Sequence, residues 1–309
     1  MGNNMKTPFF AVRRNMVLTA IFYTFLWGSA FPLVKMCMTA FGIADGDQIA
    51  KCLLAGVRFS LSGVLTLTYC AVTEKSIRLS ARDLRFVIPY GILATAMQYA
   101  FTYIGLSRID GSKGAVFDQL CVFVIVLLGG LFFKSDRLTG RKILGCLLGF
   151  AGVLIINTDG LGFSFSLGGE GMMLLSVVSQ TAAYFVAKGA AGKLSAAKLV
   201  GYGQLLGGLF LCVGTLCLGG GFKVEDGVTA AWTLVCLVLI SAVAYVLSLM
   251  PLKYFDASEV SSFNLLITVF GVVMSAVVLK ENIFRWNIGA SLALIILGIL
   301  CINRKSRKQ

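Results

Sequence analysis

Two ionisable side chains, Arg58 and Asp118, stand deep inside long apolar stretches of this sequence. Counted from Ile49 at about 1.5 Å per helical residue, Arg58 lies about 14 Å into its stretch, near the centre of a bilayer. Placing an Arg side chain there costs about 2.5–3.5 kcal/mol, so it needs a partner or a watery cavity. A charge at this depth either binds a substrate or forms a structural ion pair, and both interpretations stay open.

Asp118 and Gln98 lie at a depth similar to that of Arg58. Asp118 is about 11 Å from the outer end of its stretch by the same helical rise. The three side chains can therefore meet at one level in the outer half of the membrane. We hypothesise that Asp118 neutralises Arg58 while the site is empty, and that it takes up a proton or changes partner when substrate binds. The alternative is a permanent ion pair that only fixes the packing.

Other polar and aromatic side chains within the apolar stretches are further candidates for substrate binding: Gln119, Lys35, Tyr99, Gln180, Tyr184, Gln204 and Asn264. Each has a structural alternative. Lys35 lies about one turn from the end of its stretch, so its long stem can reach the membrane interface. Amides also hold helices together in lipid, and tyrosines near helix ends anchor at the interface.

The chain lacks the residues that most enzymes and metal sites depend on. The chain has no His, the commonest general base and metal ligand. Its nine Cys are scattered through apolar stretches without a CxxC pair, so we expect neither a disulfide framework nor a metal site. No phosphate-binding loop is present. We therefore expect no enzyme and no cofactor, and any driving force is an ion gradient, such as protons, or solute exchange.

Composition places these residues in a membrane protein. Hydrophobic residues make up 58% of the 309-residue chain and charged residues only 13%, about half the usual charged share of a soluble domain. Because lipid offers the backbone no hydrogen-bond partner, the spans must be helices, and the predicted fold is all-α. Ten apolar runs are about long enough to cross a bilayer, namely 16–38, 49–72, 86–106, 111–133, 141–157, 168–188, 198–218, 231–250, 257–279 and 285–303.

The sequence also contains an internal repeat. Residues 105–157 align without a gap on residues 251–303 at an offset of 146. The aligned segments share identical residues at polar positions, which a high content of apolar residues does not explain. These identities pair Asp110 with Asp256, Ser112 with Ser258, Lys134 with Lys280 and Asn157 with Asn303. The same offset pairs Arg58 with Gln204 and Asp118 with Asn264, while Trp27–Lys35 aligns with Gln180–Lys188 at an offset of 153. The first half thus carries the charges and the second half the amides.

The predicted organisation follows from this repeat. A lead (1–15) precedes a first five-helix repeat (16–157), a Gly/Ser-rich loop (158–167), a second repeat (168–303) and a basic tail (304–309). An odd number of spans per half makes the second repeat inverted, which is a transporter architecture with its site near the midplane. A signal peptide ending near Gly28-Ser29-Ala30 is the disfavoured alternative for the first span.

Charge distribution predicts the orientation. The formal net charge is +13, but the basic residues sit in short loops and tails rather than on a nucleic-acid-binding face. Of the 27 Lys and Arg residues, 19 fall in segments that are cytoplasmic if the N-terminus is, 6 fall outside, and Lys35 and Arg58 lie within spans. Both termini are therefore predicted to be cytoplasmic, and a bacterial cytoplasmic membrane is the expected location.

Several short motifs now resemble a known family. Trp27-Gly-Ser-Ala-Phe opens the first span, Arg58-Phe lies in the second, and acidic turns (Asp136-Arg-Leu and Glu281-Asn-Ile) follow the fourth and ninth. Together with glycines in the fifth and tenth spans, this pattern resembles the EamA family of the drug/metabolite transporter superfamily. Two departures are the missing proline midway along spans four and nine, which leaves their kinking open, and Asp136 where Glu is usual.

The resemblance implies a metabolite or drug permease, often an exporter of amino acids or similar solutes. Two cationic groups against one acid within the spans favour a substrate with a carboxylate. The predicted function is thus a secondary transporter of a small metabolite in the lipid bilayer, with protons as a candidate coupling ion. Organic-cation or multidrug efflux and metabolite exchange are alternatives on the same fold. An ion channel is the alternative from another class, although no ring of like groups is visible.

Overall fold

The computed structural model describes residues 8–109, 111–156, 165–279 and 286–304. Within these ranges the chain is helical and forms no β-strand. Predictions that concern residues 1–7, 157–164, 280–285 and 305–309 and Asp110 lie outside them. The helices are α1 (Arg13–Ala40), α2 (Gln48–Thr73), α3 (Ala81–Gly91), α4 (Gln98–Leu106), α5 (Gly111–Phe132), α6 (Gly140–Ile156), α7 (Met172–Ala190), α8 (Ala196–Cys217), α9 (Gly227–Leu249), α10 (Ala257–Ser262), α11 (Leu265–Leu279) and α12 (Trp286–Asn303).

The length and apolarity of these helices suit a membrane. Six helical segments of the described chain are long and apolar enough to cross a bilayer, and Val116–Phe132 is a shorter apolar helix. The six are Arg13–Ala40, Gln48–Thr73, Ala196–Cys217, Gly227–Lys253, Ala257–Ser275 and Trp286–Asn303. The predicted all-helical, multi-pass membrane protein is confirmed at this level.

Small residues set the closest helix contacts. The most extensive interfaces join α2 to α8 and α6 to α12. A Cβ added at Gly63 would lie 2.7 Å from the Gly201 carbonyl oxygen, and one added at Gly145 would lie 2.7 Å from that of Gly298. The glycines of these helices therefore let the backbones approach directly, as is usual between helices in lipid.

Four further interfaces join α1 and α7 to their neighbours. Helix α1 packs against α9 and α11, and α7 packs against α4 and α5. Helices α1 and α7 therefore each pack against two other helical segments.

Two helical segments are interrupted. A π-helical stretch, Ile92–Met97, joins α3 to α4. The hydroxyl of Ser179 donates to the Leu93 carbonyl (2.8 Å) and that of Ser176 to the Gln98 carbonyl (3.1 Å), which gives partners to carbonyls beside the irregular turn. The second interruption separates α10 from α11 at Phe263–Asn264, where no proline is present, whereas α5 runs unbroken. The two spans that lack proline therefore differ, and only the ninth is broken.

Candidate substrate-binding site

Arg58 lies in the middle of α2 with only 7% of its surface exposed. Its Nε donates to the Ser241 hydroxyl of α9 at 2.7 Å, and its guanidinium carbon lies 4.8 Å from the centre of the Phe59 ring. Within the described ranges the terminal nitrogens of Arg58 make no hydrogen bond, and no carboxylate lies within 4.0 Å of them. This buried cation therefore has two nitrogens available for an anion.

The hypothesised pair between Arg58 and Asp118 is absent from this structure. The ion pairs of the described chain join Arg13 to Glu259, Lys142 to Asp136 and Lys198 to Glu74. Asp118 is half-buried on α5, which packs mainly on α7, α10 and α6, whereas α2 packs mainly on α8 and α9. Similar depth therefore does not bring the two side chains together, because their helices point them toward different neighbours.

Gln204 lies in a hydrogen-bonded network around Arg58. It is fully buried on α8, where its Oε1 accepts from the Ser62 hydroxyl at 2.6 Å and its Nε2 donates to the Ser241 carbonyl at 3.3 Å. The amide thus ties α2, α8 and α9 together, as its structural alternative predicts. Through Ser241 it also fixes the Arg58 guanidinium. Sequence reasoning missed Ser62 and Ser241. The feature that could have pointed to them is a hydroxyl side chain inside a long apolar run.

An aromatic cluster borders the Arg58 network. The hydroxyls of Tyr99 and Tyr245 are 3.0 Å apart, and these residues are separated by the repeat offset of 146. The Tyr99 ring centre lies 4.5 Å from that of Phe59, and the Tyr245 ring centre lies 5.1 Å from that of Trp27. Tyr99 thus packs on Phe59, the ring that also contacts the Arg58 guanidinium. Its hydroxyl bonds to Tyr245, a contact between helices that needs no substrate.

The space beside Arg58 is narrow. A cavity of about 10 Å³ is lined by Arg58, Tyr103 and apolar side chains of α1, α2 and α9. A volume of about 10–15 Å³ is the least that holds one water molecule. A metabolite therefore does not fit beside Arg58 in the described conformation, and this space must widen before one binds.

A second group of buried polar atoms makes no hydrogen bond among the described residues. It consists of Gln119 Oε1, the Tyr184 hydroxyl and Asn264 Oδ1. They lie on α5, on α7 and at the break before α11, and α5, α7 and α10 pack against one another. Buried oxygens without a donor cost free energy, so such groups fit a site that a ligand completes.

The other predicted site residues are placed differently. Gln98 is buried on α4, Gln180 is half-buried on α7, and Lys35 is exposed on α1. Exposure of Lys35 agrees with the interface alternative. Within the described ranges, no three His, Cys, Asp or Glu side chains lie close enough to hold a metal ion.

Many long apolar helices, packed around a buried cation that has no ion-pair partner within the described ranges, define a multi-pass membrane protein. The sequence profile of the EamA-like transporter family matches residues 14–158 and again 167–304. The chain belongs to this family. Its members are membrane transporters rather than enzymes, so the prediction of a transporter and not an enzyme is confirmed.

Individual relatives agree with this assignment. The Bacillus subtilis (strain 168) protein named "Uncharacterized transporter YvbV" is 26% identical over 94% of this chain and 92% of its own length. The Escherichia coli (strain K12) protein named "Probable amino-acid metabolite efflux pump" is 26% identical over 56% of this chain and 50% of its own. A solved crystal structure, 15% identical, superposes with a TM-score of 0.77 over 94% of this chain and 96% of that one, which shows a shared fold.

Proposed function

We propose that this protein is a secondary transporter for a small metabolite that carries a carboxylate, most simply an amino acid, and that the carboxylate binds Arg58. The observation that carries the proposal is the buried guanidinium, which within the described ranges has no carboxylate at ion-pair distance and two nitrogens without a hydrogen bond. A carboxylate matches these nitrogens in a two-point hydrogen bond, the strongest that Arg makes. Ser241 already holds Nε, so the fork is oriented before the solute arrives.

The proposed architecture is ten transmembrane helices in two inverted five-helix repeats, 16–157 and 168–303. Two sets of contacts support it. Tyr99 and Tyr245 occupy equivalent repeat positions and touch each other. Gly145 meets Gly298, and the equivalent pair, Ser291 and Gly152, also meets, with a Cβ added at Gly152 lying 2.9 Å from the Ser291 carbonyl oxygen. Both are contacts that an internal two-fold axis would produce.

The second group of polar atoms favours an amino acid over a simple organic acid. Asp118 has no hydrogen bond or ion pair within the described ranges, and Gln119 and Asn264 each present an unpaired oxygen. Acceptors of this kind suit an ammonium group, while Arg58 suits the carboxylate. In the described conformation the two groups face different neighbours, so a single amino acid can contact both only after α2 and α5 move closer together. The E. coli relative named for amino-acid metabolite efflux is consistent with this substrate class and with export.

In the proposed mechanism the site alternates between the two membrane faces, with both termini in the cytoplasm. An unpaired charge near the bilayer centre is costly, and a bound carboxylate neutralises it. The loaded carrier therefore crosses between states more easily than the empty one. This asymmetry favours solute exchange, or export in which protons serve as the coupling ion.

Purified protein in liposomes tests the proposal. We would measure counterflow of labelled amino acids, of the matching acids without the amine, and of the matching amines. Arg58→Gln should abolish saturable uptake of both carboxylate classes, while the matched control Lys35→Gln, which removes an exposed cation, should keep it. Unchanged uptake by a well-folded Arg58→Gln protein would refute the role of Arg58.

Organic-cation efflux is the second candidate, because the Asp118 carboxylate also lacks a partner within the described ranges. Amines alone would then show saturable counterflow, and Asp118→Asn would abolish it while Arg58→Gln would not. Flux proportional to concentration without saturation would instead indicate a channel.

A further inference from the structure

The short helix α10 is capped by residues from elsewhere in the chain. Asp136, in the turn after α5, is fully buried and accepts hydrogen bonds from the Ser258 amide (2.8 Å) and the Ser258 hydroxyl. The natural cap, Asp256, makes no cap bond and instead accepts from the Ser135 hydroxyl at 2.8 Å. The start of α10 is thus held by the turn that follows α5.

Further polar contacts hold the rest of α10. Glu259 forms an ion pair with Arg13 at 3.3 Å, and the Asn303 amide donates to the Ser262 hydroxyl at 2.8 Å. Arg13 and Asn303 belong to the start of α1 and the end of α12, and Arg13 also donates to the Asn303 carbonyl. We call this side of the molecule the termini end. Helix α10 therefore closes the termini end with contacts to at least three other segments.

The break after α10 separates it from α11. At this point the Asn264 amide bonds to the Ser261 carbonyl (2.9 Å), and α-helical bonding resumes only with α11. Hydrogen bonds between residues three positions apart run through this stretch, so it is a 3₁₀-like turn inside a longer helical segment. A short 3₁₀ stretch within a helix often marks a hinge. Residues Phe263 and Asn264 can therefore act as a hinge that lets α10 move while α11 stays in place.

We infer that α10 is the gate at the termini end of the transporter, that Phe263–Asn264 is its hinge, and that the Asp136–Ser258 contact is the latch that holds it shut. This inference rests on the proposed transport function. It also gives a role to Asp256 and Ser258, which substrate binding does not explain. In the conformation described, the latch is closed.

The gate can be tested with a native reporter, Cys121, which is buried on α5 in one apolar cluster with Ala257 of α10. All other Cys would be replaced, and a membrane-impermeant maleimide would be applied to vesicles of each orientation. Asp136→Ala should raise Cys121 labelling from one face by about tenfold or more, since a hydrogen bond to a charged group is worth at least about that factor. Ser258→Ala should raise it less.

Glu74→Ala is the matched control, because Glu74 forms an ion pair with Lys198 (3.6 Å) and contacts no part of α10 among the described pairs. It should leave labelling unchanged. Monodisperse elution of each variant establishes that it is folded. The inference would be overturned if Cys121 in folded Asp136→Ala were labelled no faster than in the parent protein. It would also be overturned if Glu74→Ala raised the labelling rate as much as Asp136→Ala does.

Crosslinking supplies a second, independent test in a chain otherwise free of Cys. The double variant Ser135→Cys/Asp256→Cys replaces the hydrogen-bonded pair next to the latch. Oxidation should abolish counterflow, and a reductant should restore it. Full counterflow in the completely crosslinked protein would overturn the gate. The labelling test needs no substrate, so increased labelling without any transport would uphold the gate while refuting the proposed function.

Discussion

The two glycines Gly208 and Gly214 of α8 should respond in opposite ways to substitution by Ala. A Cβ added at Gly208 would lie 2.6 Å from the Ser60 amide nitrogen and 2.8 Å from the Gly56 carbonyl oxygen of α2. A Cβ added at Gly214 would meet no atom within 4 Å. The two sites share a helix and a substitution, so they differ only in what the new methyl group touches.

The expected magnitudes follow from this difference. In a helix interior Ala is favoured over Gly by about 0.5–1 kcal/mol, so Gly214→Ala should stabilise the protein by about that amount. At Gly208 the neighbouring atoms belong to the backbone of α2 and cannot rotate away. Overpacking of this kind costs about 1–3 kcal/mol, which exceeds the gain in propensity over most of that range. Because the propensity gain is common to both variants, their difference isolates the helix–helix packing cost.

Thermal unfolding of the detergent-purified variants measures this difference. With about 2–4 °C of Tm per kcal/mol for a chain of comparable size, Gly208→Ala should unfold about 2–12 °C below Gly214→Ala. Wild-type protein in the same detergent is the reference. Equal Tm values for the two variants would show that α2 and α8 are not in direct backbone contact, and the packing derived for the Arg58 network would then be wrong.

Three further predictions concern the site and the helix ends. Ser241→Ala should weaken substrate binding about tenfold and leave the maximal rate nearly unchanged, measured as KM in counterflow, because Arg58 Nε loses its acceptor. Tyr99→Phe and Tyr245→Phe, singly and together, should give a coupling free energy of unfolding of about 0.5–1.5 kcal/mol in a double-mutant cycle, and additive effects would contradict the hydrogen bond between them. Hydrogen bonds from Thr229 and Val228 lower the pKa of Asp226, the cap of α9 outside the membrane, so its stabilising effect should be full above about pH 4 and lost as the pH falls further. Unfolding followed against pH should show this loss in wild type and not in Asp226→Asn.

Much of the helical framework is predictable from the sequence because a membrane leaves the backbone few options. The fixed rise of a helix converts the number of residues in each apolar run into a length, and each position in the run into a depth. Depth does not determine the direction in which a side chain points. Arg58 and Asp118 are predicted to share a level, yet the direction of each side chain depends on which helices pack around α2 and α5. No local pattern in the sequence specifies those partners.

The hydroxyls and the helix break were beyond sequence reasoning for a similar reason. Ser241 is one small polar residue in an apolar run, and only the approach of α9 to α2 makes it an acceptor for Arg58. The break at Asn264 occurs without proline, and cross-segment contacts to α10, such as that of Asp136, accompany it. Features that depend on contacts between distant segments appear only once the helices are packed.

The contact between Tyr99 and Tyr245 has a consequence for the energy balance between conformations. Of two bonded hydroxyls, one donates and the other accepts, and either residue can take either role. In the proposed inverted repeat, the inward and outward states exchange the environments of the two tyrosines, and rotation of two O–H bonds is enough to reverse the direction of this hydrogen bond. Arg58 and Gln204 occupy equivalent positions but cannot exchange roles in that way, because one is charged and the other neutral. The tyrosine pair therefore contributes the same free energy to the inward-facing and outward-facing states. The arginine–glutamine pair contributes differently to the two states, so their free energies differ.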